Sequence, residues 1–336
     1  MKKVLFATTA LVAFAGAASA EIAISGSAEM GFVGGGDNGI GFSNAGEVEL
    51  HNDVTLTIRA TGETDTGLSF GASFDFSKSP EGDENGDIVL DNEAAFISGA
   101  FGTLTMGEID SAMDWAITET VGNPGTIGDD ETIHAGYHGA FGDGAYDNQH
   151  VRYDYSMGDF GFALSAELDD SGVRDAGYAV GLRYNTTFGA TAVGFGIAYQ
   201  NIDAAGYAPG NLGATGYALP GVSFVGDTDI VAVSANADFG NGFVAGLSYS
   251  DWSSAALDAD QTQVSLGYTT GALSIGVNYG IWDFPTGDIE GFGLAAAYDL
   301  GGGMTVLAGY GDSSWDAAYG SDDGMETFSL GVSMAF

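Results

Sequence analysis

The segment Glu47–Thr61 reads EVELHNDVTLTIRAT, and its residues alternate between apolar and polar along the whole stretch. The even positions are apolar except for one asparagine, and they are Val48, Leu50, Asn52, Val54, Leu56, Ile58 and Ala60. The odd positions are all Glu, His, Asp, Thr or Arg. Successive side chains of a β-strand point to opposite faces, so a period of two over these 15 residues predicts a strand with one apolar and one polar face.

The same alternation continues from Glu21 to Phe336, and its phase is reset at each turn. We identify sixteen such segments, which gives about 20 residues for each strand with its connection, a spacing that suits a transmembrane barrel. The alternation alone would also allow fourteen or eighteen strands, because the segments after Gly240 are short and rich in glycine. Short connections such as Gly158-Asp159 alternate with long, aspartate-rich ones. The sequence therefore predicts an all-β fold, a transmembrane antiparallel β-barrel of sixteen strands.

The composition of the 336-residue chain excludes several classes of protein. It has 46 acidic and 7 basic residues, yet 45% of its residues are hydrophobic and 12% are aromatic, which is too apolar for a disordered acidic chain. The formal charge of −39 would repel the phosphates of a nucleic acid. Without any cysteine, the chain has no disulfide framework and no cysteine nucleophile.

Residues 1–20 are predicted to be a signal peptide that is cleaved on export. Lys2 and Lys3 precede a short apolar stretch, and Ala18-Ser19-Ala20 is typical of a signal peptidase site. Residues 21–336 then form the barrel, and the loss of two lysines changes its formal charge from −39 to −41.

The distribution of aromatic residues favours a membrane barrel over a soluble β-sandwich or propeller, which alternation alone would not exclude. Many aromatic residues on the apolar faces lie close to strand ends, among them Phe32, Phe76, Phe160, Tyr184 and Tyr298. Such positions are typical of the girdles at the two membrane interfaces. The opposite faces are rich in Gly, Ser, Thr, Asn and Asp rather than in the Val and Leu of a packed core. The pattern thus predicts a wet interior and an exterior that faces lipid.

The whole chain resembles the sixteen-stranded general diffusion porins of Gram-negative outer membranes, in their alphaproteobacterial form. The segments that carry the resemblance are Glu21–Gly26, the run AFISGAFGTLTMGE at Ala95–Glu108, and the terminal Phe336. The resemblance implies a homotrimer in outer-membrane lipid and a third loop that folds into the barrel and narrows it. It also implies that the barrel-insertion machinery recognises the alternate apolar residues of the last strand, which are Phe328, Leu330, Val332, Met334 and Phe336.

The longest connection, about residues 109–149, is the candidate constriction loop. A connection of this length is usually functional or disordered, and this one contains no Lys or Arg. Its segment Ser111–Thr120 has some helical character before Asn123-Pro124-Gly125 forces a turn. If the loop folds inward, its acids form one wall of the constriction; the alternative is that they are solvated surface charges. The candidate acids are Glu108, Asp110, Asp114, Glu119, Asp129, Asp130 and Glu131.

The basic wall of the constriction, opposite the loop acids, is predicted from the strand face on which three arginines lie. Arg59, Arg152 and Arg183 all lie on the polar face of their strands, although the chain has only five basic residues after residue 20. Arginines that face the loop acids would set up a transverse electric field across the narrowest point. The excess of acids predicts a channel that prefers small cations over anions.

Other functions receive less support from the sequence. No catalytic motif is present, so we expect no enzyme and no cofactor. Asp129, Asp130 and Glu131 offer oxygen ligands that suit Ca²⁺, although their spacing matches no standard calcium loop. The alternatives to passive diffusion of small hydrophilic solutes and ions are a substrate-specific outer-membrane channel and a non-conducting adhesin barrel.

Overall fold

The computed structural model describes residues 20–35, 48–78, 89–127, 134–137, 141–143, 149–169, 172–208, 222–316, 319 and 324–336. These residues form one closed antiparallel barrel of sixteen strands, as predicted. The predicted signal peptide lies outside them apart from Ala20. The strands are β1 Glu21–Gly35, β2 Val48–Glu63, β3 Ser69–Lys78, β4 Val89–Gly99, β5 Gly102–Glu108, β6 Gln149–Met157, β7 Phe160–Glu167, β8 Gly177–Phe188, β9 Thr191–Tyr207, β10 Phe224–Asp238, β11 Phe243–Ser254, β12 Asp258–Thr270, β13 Leu273–Phe284, β14 Gly287–Gly301, β15 Met304–Trp315 and β16 Met325–Ala335.

Each strand pairs with its neighbour in sequence, and β1 closes the barrel by pairing with β16 in the register Met30 to Val332. Short turns follow the even-numbered strands from β2 to β14, as the connection lengths predict. The predicted alternation with long connections is not kept after β11 and β13, where the connections are short as well. Most of the turns after even-numbered strands place a glycine at positive φ, as Gly158 at 62° and Gly271 at 60° illustrate. A side chain with a Cβ would be strained at these angles, so the glycines allow the chain to reverse within a few residues.

The outer face of the barrel carries exposed apolar side chains, and the strand that contains most of the quoted segment shows this well. Leu50 is 78% exposed, whereas its neighbour on the opposite face, His51, is buried. On β16, Phe328 and Leu330 are exposed and lie beside β1, where Phe32 is exposed as well. A continuous exposed apolar surface of this kind is unusual in a soluble protein and expected for a barrel in lipid. Within the described residues, we find no helix with the length and apolar character needed to span a bilayer.

The inner face differs from the prediction in one region. The alternation predicts the ninth strand at Thr191–Asn201 and the eleventh at Gly242–Ser250, but β9 extends to Tyr207 and β11 to Ser254. Near such extended strand ends, the inner face carries large apolar side chains rather than small polar ones. Trp252 and Trp282 are fully buried, with ring centroids 5.8 Å apart, and Trp282 stacks on Phe284 at 5.5 Å. Phe224 packs on Trp252 at 5.1 Å. The expectation of a uniformly polar interior is wrong here, because these residues form an aromatic core.

The connection after β5 contains a short helix, α1 (Ala112–Ala116), within the stretch predicted to have helical character. The N-cap is Ser111, whose side chain accepts hydrogen bonds from the N–H groups of Met113 and Asp114. This cap satisfies donors that a helix N-terminus otherwise leaves unpaired. The helix is apolar on one side, where Ala112, Met113 and Ala116 are buried, and it packs against β7, β8 and β9.

Candidate constriction site

The segment Ile109–Ile127, which we call the docked segment, contacts the inner face of the barrel mainly through its backbone. Its N–H groups donate to serine hydroxyls that project from three strands, β7, β10 and β12, and a fourth serine on β15 binds the nearby Ala135 in the same way. The hydrogen bonds are Ala112 N to Ser165 Oγ at 2.8 Å, Thr118 N to Ser234 Oγ at 3.0 Å, Val121 N to Ser265 Oγ at 2.9 Å and Ala135 N to Ser313 Oγ at 2.9 Å.

Glycines of the barrel wall make room for this backbone. A Cβ added to Gly267 on β12 or to Gly276 on β13 would lie 2.6 Å from the same carbonyl oxygen, that of Gly122. The side chain of Ile127 lies over Gly331 of β16, where a Cβ would approach its Cδ1 atom to 2.6 Å. The wall glycines are therefore needed for close approach rather than for turn geometry.

Asp143 ties the start of the docked segment to the wall. Its Oδ2 atom accepts a hydrogen bond from the N–H of Ser111 at 2.6 Å, and its Oδ1 atom accepts one from Gln200 Nε2 of β9 at 2.7 Å. Gln200 also accepts from the N–H of Gly142 at 2.8 Å. The Gln200 side chain and the Asp143 carboxylate thus provide hydrogen-bond acceptors for the backbone N–H groups of Gly142 and Ser111.

Four carboxylates line one cavity of about 350 Å³ beside the helix. Three of them, Glu108, Asp110 and Asp114, are among the acids predicted from the sequence, and the fourth is Asp143. Burial, together with the nearby charges of Asp143, Asp110 and Glu119, raises the pKa of Asp114 to about 8. The Asp114 carboxyl is therefore largely neutral at pH 7.

Glu108 and Glu119 differ in their surroundings. Glu108 is the last residue of β5, and its Oε2 atom accepts a hydrogen bond from the N–H of Asn92 at 2.8 Å. Glu119 is 8% exposed, and its backbone oxygen accepts a hydrogen bond from Ser248 on β11 at 3.3 Å. The predicted acids Asp129, Asp130 and Glu131 lie outside the described residues.

Arg152 lies at the edge of the acid cavity. Its Nη1 atom donates to the backbone oxygen of Asp110 at 2.6 Å and lies 3.8 Å from the Asp110 carboxylate. Its Nε atom lies 3.6 Å from Asp154 on the same strand. The arginine side chain is only 14% exposed, so its charge is compensated by these two acids in a partly dry environment.

The other two arginines contact aromatic rings. The Cζ atom of Arg183 lies 3.6 Å from the centroid of the Trp115 ring of α1, which is a close cation–π contact. The Cζ atom of Arg59 lies 5.9 Å from the centroid of Phe96 on β4. Among the residues that the structure describes, Arg152 contacts a loop acid, whereas Arg59 and Arg183 contact aromatic rings.

Metal ligands are not grouped in the described part of the chain. No set of three or more His, Asp, Glu or Cys side chains is arranged there to hold an ion. His134, which the sequence places near Glu131, is instead buried against the wall, with its Nε2 atom 2.5 Å from Asn278 Oδ1 of β13.

Comparison with known proteins identifies the family. A family model described as Gram-negative porin matches residues 7–318 of this chain. The chain belongs to this porin family. A porin of Rhodobacter capsulatus is 30% identical over 276 residues, which is 75% of this chain and 84% of that protein.

Solved structures agree on the fold of this porin. A triple mutant of Rhodopseudomonas blastica porin superposes with a TM-score of 0.68 at 20% identity, covering 94% of this chain and 100% of that one. A second mutant of the same porin gives 0.69 at 19% identity, with the same coverage. The family model and the Rhodobacter capsulatus relative confirm the resemblance to alphaproteobacterial general porins and support an outer-membrane location.

The sequence left some site residues of this porin unidentified. Trp115 and the four wall serines contact partners that are 50 or more residues away, so no local motif marks them. A signal was nevertheless present, because glycines occupy inner-face positions of consecutive strands, such as Gly267 and Gly276, which lie opposite each other in register. Small residues at matching inner positions indicate that another part of the chain packs there.

Proposed function

We propose that this porin forms a water-filled channel for passive diffusion of small hydrophilic solutes and ions, narrowed by the docked segment inside the lumen. One observation carries this proposal. The docked segment binds inner-face residues from Ser165 on β7 to Ser265 on β12, and its end lies over Gly331 on β16. A segment of this length can contact the inner faces of strands so far apart around a closed barrel only if it lies within the barrel.

The charges near this segment support a preference for cations. Besides the cavity acids, the inner faces of β1–β6 carry further carboxylates, whereas Arg59 and Arg152 are the arginines of those strands. Rings or walls of carboxylates favour cation entry in pores, and salt screens the effect. The further carboxylates include Glu29, Asp53, Asp75, Asp91 and Asp154.

A transverse field is part of the proposal. Three of the cavity carboxylates, Asp110, Asp114 and Asp143, belong to the connection after β5, and Arg59 and Arg152 lie on β2 and β6. Opposite charges on two walls of a narrow, poorly screened passage orient dipolar solutes that cross it. Because Asp114 is largely neutral at pH 7, we expect Asp110 and Glu108 to contribute more of the negative side of this field.

Conductance measurements on the refolded protein in planar bilayers test the proposal. A salt gradient should give a reversal potential of the sign that indicates cation preference, and its size should fall as the salt concentration rises. Anion preference would reject the charge argument but leave the channel intact. Sugars of graded size should permeate liposomes with a smooth cutoff; saturable permeation would indicate a specific channel, and no conductance would indicate an adhesin.

Assembly and export are further parts of the proposal. We expect a homotrimer, recognised by three equal closing steps in a single-insertion recording. We also expect the insertion machinery to recognise the outer-face residues of β16, so removal of Phe336 should reduce the amount of folded protein in the outer membrane. Residues 1–20 should be absent from the mature protein, which N-terminal sequencing would check.

A further inference from the structure

Arg183 and Trp115 form the closest contact between a charged wall residue and an aromatic side chain of the docked segment. The guanidinium carbon lies 3.6 Å from the ring centroid, which is a stacking distance. Arg183 is on β8 and Trp115 is on α1, so the contact joins the barrel wall to the helix. An arginine is suited to this because its planar group stacks on an aromatic face, whereas a lysine presents a compact point charge.

The wall around Arg183 is built to receive this helix. Its two cross-strand neighbours are both glycines, Gly161 on β7 and Gly196 on β9. A Cβ at Gly161 would lie 2.9 Å from the Trp115 ring and 3.1 Å from Arg183 Nε, and a Cβ at Gly196 would overlap the carbonyl group of Ala116. The indole and the guanidinium therefore occupy space that side chains on the neighbouring strands would otherwise fill.

The charged groups that act most on Arg183 belong to the barrel wall rather than to the docked segment. The two charged neighbours that affect it are Asp154 and Arg152, which have opposite signs. Asp154 is itself engaged with Arg152 at 3.6 Å. None of the loop acids contacts the Arg183 guanidinium in the described residues, whereas Arg152 reaches Asp110 directly.

We propose that Arg183 is a positioning residue, which acts through Trp115 to hold α1 against the β7–β9 wall and so fixes the width of the passage. The sequence pattern had assigned Arg183 to the basic side of the transverse field. The contact geometry gives it a mechanical role instead, and the charge it carries is incidental to selectivity. We call the Arg183–Trp115 contact the clamp. The effect of the clamp on the passage rests on the proposed function, whereas the contact itself is a property of the folded chain.

Hydrogen exchange of the full-length refolded protein tests the clamp independently of conductance. In Arg183→Lys and in Trp115→Leu, protection of the amides of α1 should fall about tenfold, a change that corresponds to about 1.4 kcal/mol. Trp115→Phe keeps an aromatic face and should restore most of the protection. The double variant Arg183→Gln with Trp115→Leu should lose no more protection than either single variant, because both remove the same contact.

Conductance of the same variants distinguishes the clamp from a charge effect. Arg183→Lys and Trp115→Leu should both increase the open-channel current noise, while the reversal potential stays near that of the parent protein. Arg59→Gln is the matched control, since it removes a wall charge and should shift the reversal potential without changing α1 protection. The inference is overturned if Trp115→Leu leaves α1 protection and noise unchanged, or if Arg183→Gln shifts the reversal potential as much as Arg59→Gln does.

The two proposals can fail separately. A parent protein that does not conduct rejects the proposed function, yet the exchange experiment still decides whether Arg183 holds α1. A conducting parent with unchanged exchange in Arg183→Lys and Trp115→Leu rejects the clamp alone. Should Trp115→Leu fail to refold, as judged by circular dichroism, the comparison of Arg183→Lys with Trp115→Phe still tests the inference, because Arg183→Lys should lose protection and Trp115→Phe should retain most of it.

Discussion

The substitution Gly276→Ala should displace the docked segment by a small and calculable distance. The new Cβ would lie 2.6 Å from the Gly122 oxygen, 2.9 Å from Asn123 Cα and 3.0 Å from Pro124 Cδ. Real Cβ contacts are rarely closer than 3.0 to 3.4 Å, so the segment has to move by roughly 0.4 to 0.8 Å away from β13 to avoid the clash. Gly267 already lies close to Gly122, so the segment has little room to shift toward β12.

We expect this overpacking to lower the free energy of unfolding by about 1 to 3 kcal/mol and to lower single-channel conductance, since the displaced backbone moves into the passage. Denaturant titration and bilayer recording measure the two effects. Gly26→Ala is the matched control, because that strand glycine has ordinary contact distances of 3.4 Å or more around an added Cβ. If Gly276→Ala matches this control in both measurements, the argument that wall glycines position the segment is refuted.

Three further predictions concern the charges. Arg152→Gln should make the channel more cation-selective and loosen the segment at Asp110, whereas Arg174→Gln, which removes the same charge from a loop, should change the reversal potential less; equal shifts would contradict the assignment. Asp114 has its pKa raised from 3.8 to about 8, so the unfolded chain loses this proton at lower pH than the folded protein, and stability should fall as the pH rises through that window. Asp114→Asn should remove this dependence of the free energy of unfolding on pH, and a variant that keeps the wild-type dependence would contradict the assignment of Asp114 as a buried acid. In the wild-type protein, cation preference should increase above about pH 8. If calcium binds the loop acids, a chelator should lower the unfolding temperature, and a triple amide variant should abolish the difference; a chelator without effect would exclude the site, whose residues are Asp129, Asp130 and Glu131.

The strands and their faces could be predicted from the sequence because a barrel in lipid enforces strict alternation. Leu50 and His51 show the reason. Leu50 faces lipid and His51 faces the interior, so the polarity of each residue indicates the face of the barrel on which it lies. The strand number and the C-terminal apolar face were predicted for the same reason. The strand ends between β9 and β15 were predicted too short, because residues beyond the membrane no longer have to alternate between lipid and water.

The contacts of the constriction depend on residues that are far apart in the sequence. Parity placed Arg183 on the inner face, but nothing near it indicates that Trp115, 68 positions earlier, lies over it. The aromatic core also depends on contacts between residues that are far apart in the sequence. Trp252 and Trp282 belong to strands whose inner faces are mostly small and polar, and only the register of β11–β13 brings the two rings within 5.8 Å.

The backbone docking of the segment has an evolutionary consequence. Serine hydroxyls and bare glycines hold peptide groups, which are common to every amino acid, so the attachment does not depend on which side chains the segment carries toward the passage. Side chains of the segment that do not contact the wall can therefore change by single mutations while the barrel keeps its stability, whereas Asp110 is tied to Arg152. A bacterial lineage could adjust which nutrients or toxic compounds it admits by such substitutions, with selection acting on the wall and on the segment largely separately.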